Sequence, residues 1–192
     1  MSRTFVIIHG WSGSPAGHWQ DWLHKKLLEA GENVVFPKFP ENERPSIEKW
    51  LETLNNILKM INDEKIVISH SLGSVLWLHY AMRNYRINVK RLLLVAPPGE
   101  KIISETEDMR SFSGIDITEE RLKKSAEIIR FAATENDEYC IENAIEFYAK
   151  RLNLDYDVLP PEKGHINMKS GYGPWESVLN WCFDENIRII ER

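Results

Sequence analysis

A serine flanked by small residues interrupts a β-branched stretch of this sequence. Residues 65–75 read KIVISHSLGSV, so an apolar strand pattern stops at Ser71 and a helical pattern begins directly after it. A serine in such a strand-to-helix turn projects its hydroxyl above the sheet edge, and small residues two positions before and after it avoid a steric clash. Ser71 is therefore the candidate nucleophile, with Ser69 at the position where such turns commonly have glycine.

A serine hydroxyl needs a base to remove its proton, and histidine is the side chain suited to that task. Of the six histidines, His9 and His70 lie within or beside predicted strand ends, and His18, His24 and His79 are assigned to helix faces. His165 instead follows Gly164 in a loop after the last predicted strand, which favours it as the base. A surface loop histidine is the alternative interpretation.

The order of residue types along the sequence indicates which acid would orient the base. In α/β hydrolases the serine, the acid and the histidine occur in that order. Asp137 follows the fifth predicted strand and lies between Ser71 and His165, so we favour it as the acid. An aspartate just before a predicted helix is also a preferred N-cap, and the two roles are compatible. The other acids weighed for this position are Asp116, Glu135, Asp155 and Asp157.

Acyl transfer also requires amide donors directed at the oxyanion that develops on the substrate. The backbone N–H of Leu72, directly after the candidate nucleophile, is one expected donor. The second is expected from the turn HGWSGS after the first strand, where we favour the N–H of Trp11. The Trp11 side chain is also expected to contact the substrate. The alternative is a glycine-rich turn needed only for its tight geometry.

The elements that must position these residues alternate along the chain. Period-two and β-branched stretches predict six strands, at 4–9, 33–36, 65–68, 91–96, 128–133 and 154–159. Helical spacing predicts helices at 19–30, 47–61, 72–83, 139–152 and 175–183. Strands joined by single helices pair in parallel, with helices on both faces. We therefore expect an α/β fold: a three-layer α/β/α sandwich with a mainly parallel sheet of about six strands, whose carboxyl edge gathers the candidate residues.

The length of the chain predicts a single domain over 1–192. Within it, residues 99–124 lack clear periodicity and are rich in charge, which indicates a lid-like excursion over the sheet.

Composition narrows the range of partners. A net charge of −5 without a basic stripe argues against nucleic acid, and no apolar stretch reaches membrane-spanning length. The N-terminal apolar stretch is too short for a signal peptide, and the two cysteines suit buried free thiols, so we expect a cytoplasmic protein. Neither phosphate-loop glycine spacing nor zinc-ligand spacing is present, so we expect no cofactor and no metal. A small-molecule substrate is the remaining expectation.

Four segments together resemble the small serine hydrolases of the retinoblastoma-binding protein 9 and YdeN-like family of α/β hydrolases. They are HGW at 9–11 with Trp19, SHSLG at 69–73, ENDEY at 135–139, and GHIN at 164–167 followed by GYGPW at 171–175. The resemblance runs nearly end to end. It implies a compact hydrolase without the first two strands of larger relatives, with Ser71, Asp137 and His165 as the catalytic triad.

These observations predict a serine hydrolase that cleaves small carboxylic esters, thioesters or amides through an acyl-serine intermediate. Short acyl groups are expected to be preferred, because the excursion is brief and no large cap domain is predicted. The alternative is a non-catalytic protein-interaction module on a hydrolase scaffold, since a fold does not dictate a function. The complete set of three catalytic residue types argues against that alternative.

Overall fold

In the part of the chain that the structure describes, six parallel strands form one sheet. The computed structural model describes residues 2–83 and 88–190. The strands are β1 (Arg3–Ile8), β2 (Asn33–Val35), β3 (Glu64–His70), β4 (Val89–Val95), β5 (Ala126–Thr134) and β6 (Asp155–Leu159). They pair in the order β2-β1-β3-β4-β5-β6, and every pair is parallel. The predicted α/β sandwich is confirmed.

Helices cover both faces of this sheet. They are α1 (Trp19–Glu29), α2 (Ile47–Met60), α3 (Leu72–Met82), α4 (Glu100–Glu105), α5 (Glu119–Ser125) and α6 (Glu176–Phe183). Apolar residues of α1 and α6 pack with Phe5 and Ile7 of β1 on one face. Residues of α2, α3 and α5 pack with Val6 and Ile8 on the other. Successive side chains of a strand point to opposite faces, so an unbroken apolar stretch supplies both core layers.

The segment 99–124 contains more regular structure than the sequence predicts. It forms α4, a 3₁₀ helix over Glu107–Phe112, and α5, whose first turn is capped by the Thr118 hydroxyl at the Arg121 N–H. Ile103, Phe112 and Leu122 are fully buried in the core layer of α2 and α3. Short helices with few apolar positions give a weak periodic signal, which is why the sequence did not reveal them. Its action as a lid stays a prediction.

The predicted helix over 139–152 is wrong in its first half. Residues 138–143 form turns and irregular structure, and a π-helix begins only at Ile145 and extends to Lys150. The Asn143 side chain accepts hydrogen bonds from the N–H groups of Ile145 and Glu146 and so caps this shorter element. The late start of the helix leaves Asp137 in a turn, outside the helix.

Both cysteines are free and buried, as predicted. Burial raises the pKa of the Cys140 and Cys182 thiols to about 12, so both stay protonated near neutral pH. Across residues 2–83 and 88–190, no helix is both long and apolar enough to span a membrane.

Candidate active site

The three residues predicted for acyl transfer meet at the carboxyl edge of the sheet. Nε2 of His165 lies 2.7 Å from Ser71 Oγ, and Nδ1 lies 2.8 Å from Asp137 Oδ2 and 3.0 Å from Oδ1. All three are at most 9% exposed. A carboxylate only accepts hydrogen bonds, so Nδ1 of the neutral ring carries the proton and Nε2 presents a lone pair to the serine hydroxyl. That tautomer is the one a general base requires.

Ser71 occupies a strained turn between β3 and α3. Its φ of 54° and ψ of −127° lie in a region that residues with a side chain rarely adopt. The turn is held by a hydrogen bond of 2.9 Å from the Ser71 N–H to the carbonyl of Val95 on the neighbouring strand. A Cβ at Gly73 would lie 2.5 Å from the His9 carbonyl oxygen, so close packing of α3 on β1 requires glycine there.

Ser69 replaces the usual glycine because its small side chain finds polar partners. It is fully buried, and its hydroxyl donates to the Leu93 carbonyl at 3.0 Å and lies 3.0 Å from the Ser74 hydroxyl. Ser74 in turn accepts from the Val95 N–H at 3.2 Å. The buried hydroxyls of the two serines therefore have hydrogen-bond partners, and they connect the turn to β4.

Asp137 is a turn residue that bonds to both its own backbone segment and the base. Its Oδ1 accepts a hydrogen bond of 2.8 Å from the Tyr139 N–H, in addition to the contacts with His165. The predicted capping of a helix at this point is wrong, because the helix starts later. The competing acids lie elsewhere: Glu135 and Asp116 are exposed, and Asp157 pairs with Arg130 and Arg188.

The loop that carries His165 is held at three successive carbonyl oxygens. The Thr134 hydroxyl donates to Gly164 O at 2.7 Å, and Trp19 Nε1 donates to Ile166 O at 3.0 Å. His70 Nε2 lies 3.1 Å from His165 O and must be the donor, since a carbonyl only accepts. Donors from β5, α1 and β3 thus fix the position of the base.

The residues predicted as oxyanion donors lie at the expected turns. Leu72 is the first residue of α3, so its N–H has no acceptor within the helix. Trp11 lines the pocket beside Gly10, and its indole Nε1 donates to Glu43 O at 2.9 Å. The Trp11 side chain is therefore fixed at the pocket wall.

A cavity of about 280 Å³ opens above Ser71. Beyond the predicted residues, it is lined by His18, His70, Met109, Tyr139 and Met168, among others. The Tyr139 ring lies against His165, with 4.4 Å between ring centroids. Met109 comes from the segment 99–124, which therefore supplies part of the pocket wall. Tyr139 follows the acid by two residues; the sequence analysis used it only as part of the ENDEY segment and did not predict that it lines the pocket.

His18 and His70 stay neutral in this cavity. Burial, with the nearby histidines His18 and His165, lowers the pKa of His70 well below its usual value. Burial and His165 lower the pKa of His18 to about 4. The prediction that His18 lies on a helix face is wrong: it precedes α1, and its Nδ1 accepts from the Gln20 N–H. Its position directly before the start of the predicted helix was the signal in the sequence that could have indicated this capping role.

Comparisons with known proteins show the family to which this chain belongs. The family model described as serine hydrolase matches residues 5–183, nearly the whole chain. The chain belongs to the serine hydrolase family. This serine hydrolase is therefore a hydrolytic enzyme, which speaks against the non-catalytic alternative. Among the described residues, no group of three or more His, Cys, Asp or Glu side chains is arranged to hold a metal ion.

Relatives of this serine hydrolase confirm the YdeN-like resemblance. YdeN of Bacillus subtilis (strain 168), named as a hydrolase, is 34% identical over 73 residues, an alignment that covers 38% of this chain and 38% of YdeN. The crystal structure of the ydeN gene product superposes with a TM-score of 0.80 at 20% identity, covering 95% of this chain and 97% of that one.

Other solved structures share the fold. A YdeN-like hydrolase from Pectobacterium atrosepticum has a TM-score of 0.69 at 22% identity, covering 93% of this chain and 88% of its own. Est1E from Butyrivibrio proteoclasticus, solved with ferulic acid bound, has a TM-score of 0.67 at 14% identity, covering 96% and 89%. The α/β-hydrolase fold is thereby established for this chain.

Proposed function

We propose that this enzyme cleaves small carboxylic esters, thioesters or amides through an acyl intermediate on Ser71. The observation that carries the proposal is the continuous hydrogen-bonded series from Ser71 Oγ through both nitrogens of His165 to Asp137. The cavity of about 280 Å³ above Ser71 supports a small substrate, because it lies at the low end of typical ligand pockets.

In the first half of the proposed reaction, Ser71 Oγ attacks the substrate carbonyl carbon while its proton passes to His165 Nε2. The negative charge that develops on the carbonyl oxygen is stabilised by the N–H groups of Leu72 and Trp11. Asp137 stabilises the imidazolium through Nδ1. The tetrahedral intermediate then expels the alcohol, thiol or amine, which takes the proton from Nε2, and the acyl group stays on Ser71.

In the second half, water attacks the acyl-Ser71 carbonyl and gives its proton to His165 Nε2. Collapse of this second intermediate releases the carboxylic acid, and the proton returns from Nε2 to Ser71 Oγ. The contact of Nδ1 with Asp137 fixes the same tautomer of His165 for both halves, so the base needs no rearrangement between them.

A fluorophosphonate probe tests the nucleophile directly. We expect one probe adduct on the intact protein, located at Ser71 by peptide mass spectrometry, and none on Ser71→Ala. Ser104→Ala is the matched control, since the Ser104 hydroxyl donates to Lys101 O within its own helix turn. Labelling of Ser71→Ala to the wild-type extent, or an adduct at another serine, would overturn the assignment.

A further inference from the structure

His18 occupies a position that its capping role alone does not explain. It is the N-cap residue of α1, where Ser, Asp and Asn are the preferred side chains. Its ring is also part of the wall of the cavity above Ser71 and is only 4% exposed. A histidine that caps a helix and also lines this cavity can contact a bound substrate.

The cap contact determines which ring nitrogen carries the proton. Nδ1 accepts the Gln20 N–H at 3.2 Å, so it must present a lone pair. In a neutral imidazole the proton then resides on Nε2. Among the described residues, the Gln20 N–H is the hydrogen-bond partner of the His18 ring, which leaves Nε2–H as a donor for the cavity that the ring lines.

The surroundings keep this donor uncharged. The His18 ring lies 5.1 Å from the His70 ring, and the His70 ring lies 5.2 Å from that of His165, so protonation would add charge beside two further imidazoles. The charged member of the cavity lining within the described residues is Lys169, whose side chain is 86% exposed. Within the described residues, the interior of the cavity therefore presents a neutral hydrogen-bond donor to a substrate, and no buried cation lines it.

We infer that His18 is a substrate-recognition residue, whose Nε2–H donates a hydrogen bond to an uncharged oxygen of the substrate other than the scissile carbonyl. The inference rests on the proposed function. It narrows the substrate class to esters, thioesters or amides that carry an additional hydroxyl, ether or ketone oxygen near the reacting carbonyl. A substrate with only hydrocarbon there would leave the Nε2–H without a partner, which is unfavourable in a closed site.

Two pairs of isosteric esters test this. The acyl pair is p-nitrophenyl methoxyacetate against p-nitrophenyl butyrate, and the alcohol pair is 2-methoxyethyl acetate against butyl acetate. Each pair differs by one ether oxygen in place of a methylene. Each kcat/KM is divided by the rate constant for hydroxide-catalysed hydrolysis of the same ester, so that intrinsic reactivity cancels. The ether-to-methylene ratio then reports recognition of the oxygen, and the pair that responds shows whether it lies on the acyl or the alcohol side.

Two variants separate donation from capping and from volume. His18→Ser keeps a capping hydroxyl but is too short to reach the substrate, whereas His18→Phe fills the space but neither caps nor donates. We expect the wild-type ratio to favour the ether in at least one pair and to fall about three- to tenfold in both variants. His24→Ser, which changes a histidine of α1 that packs on Phe36, should leave the ratio unchanged.

Ratios in both His18 variants equal to that of the wild type would overturn the inference, as would a wild type with no ether preference in either pair. If a thermal melt shows that His18→Phe does not fold, the ether-to-methylene ratio of His18→Ser alone decides the test. Failure of the proposed function has a different signature, because the wild type would then neither hydrolyse the esters nor react with a fluorophosphonate at Ser71.

Discussion

Gly10 and Ser71 approach each other so closely that a Cβ at Gly10 would lie 2.8 Å from the Ser71 Cβ and 3.2 Å from Oγ. The turn after β1 therefore abuts the candidate nucleophile itself. A side chain at Gly10 would collide with Ser71, so one of the two residues would have to shift.

We expect Gly10→Ala to lower kcat for small esters by about 100-fold, because displacement of a reacting group by an ångström has an effect of that size. Its melting temperature should change little. Gly73→Ala is the contrasting variant: its Cβ would meet the His9 backbone oxygen at 2.5 Å, so it should lower the melting temperature sharply. Normal turnover in folded Gly10→Ala would show that Ser71 can move without loss of function.

Asp137→Asn should leave the fold nearly as stable as the wild type. Asn can still accept the Tyr139 N–H, but it cannot stabilise the His165 imidazolium, so ester turnover should fall about 10³- to 10⁴-fold. Asn143→Ala is the matched control, since it removes a side-chain acceptor of backbone N–H groups nearby without touching His165. It should lose about 1 to 3 kcal/mol of unfolding free energy and keep its turnover. A lowered unfolding free energy with near-normal ester turnover in Asp137→Asn would instead show that Asp137 is a structural residue.

Among p-nitrophenyl esters, the wild type should prefer short acyl chains over long ones in kcat/KM, because the cavity holds only about 280 Å³. Met109 forms part of its wall and is 2% exposed. Met109→Val should raise the hexanoate-to-acetate ratio roughly tenfold, the effect of one or two methylenes in an apolar pocket. Met109→Leu, which nearly conserves volume, should not. A wild-type kcat/KM that rises steadily with chain length would contradict this account of the pocket.

The unfolding free energy should fall as the pH drops from 7 to 5. The pKa of His18 is lowered to about 4 in the folded state, against an ordinary value of 6.5, so the unfolded chain binds the proton first. Below pH 6.5 protonation therefore stabilises the unfolded state, and His18 alone should account for about 2 kcal/mol over this interval.

Urea unfolding of the wild type and His18→Ser at pH 7 and pH 5 measures that contribution. The wild type should lose more unfolding free energy than the variant, whose serine caps α1 without titrating. An equal loss in both proteins would assign the pH dependence to other groups, of which buried His70 is the first candidate, because its pKa is also lowered.

The local structure around Ser71 and the positions of the three candidate catalytic residues could be predicted from the sequence. The β-branched stretch before Ser71, the small residues beside it and the apolar stripe after it predict the strand, the turn and the helix without reference to the rest of the chain. The order of Ser71, Asp137 and His165, each after a predicted strand, places them at one edge because parallel strands all end on the same side. Their hydrogen bonds follow from that shared edge.

Tertiary structure alone decided what surrounds those residues. The Thr134, His70 and Trp19 side chains that hold the His165 loop come from three different elements, and no periodicity shows which carbonyl each will meet. The entry of His18 and Met109 into the cavity likewise depends on how α1 and the segment 99–124 pack on the sheet. A sequence pattern reports which face of an element is buried. The neighbours of that face are determined by long-range packing, which exists only once the chain has folded.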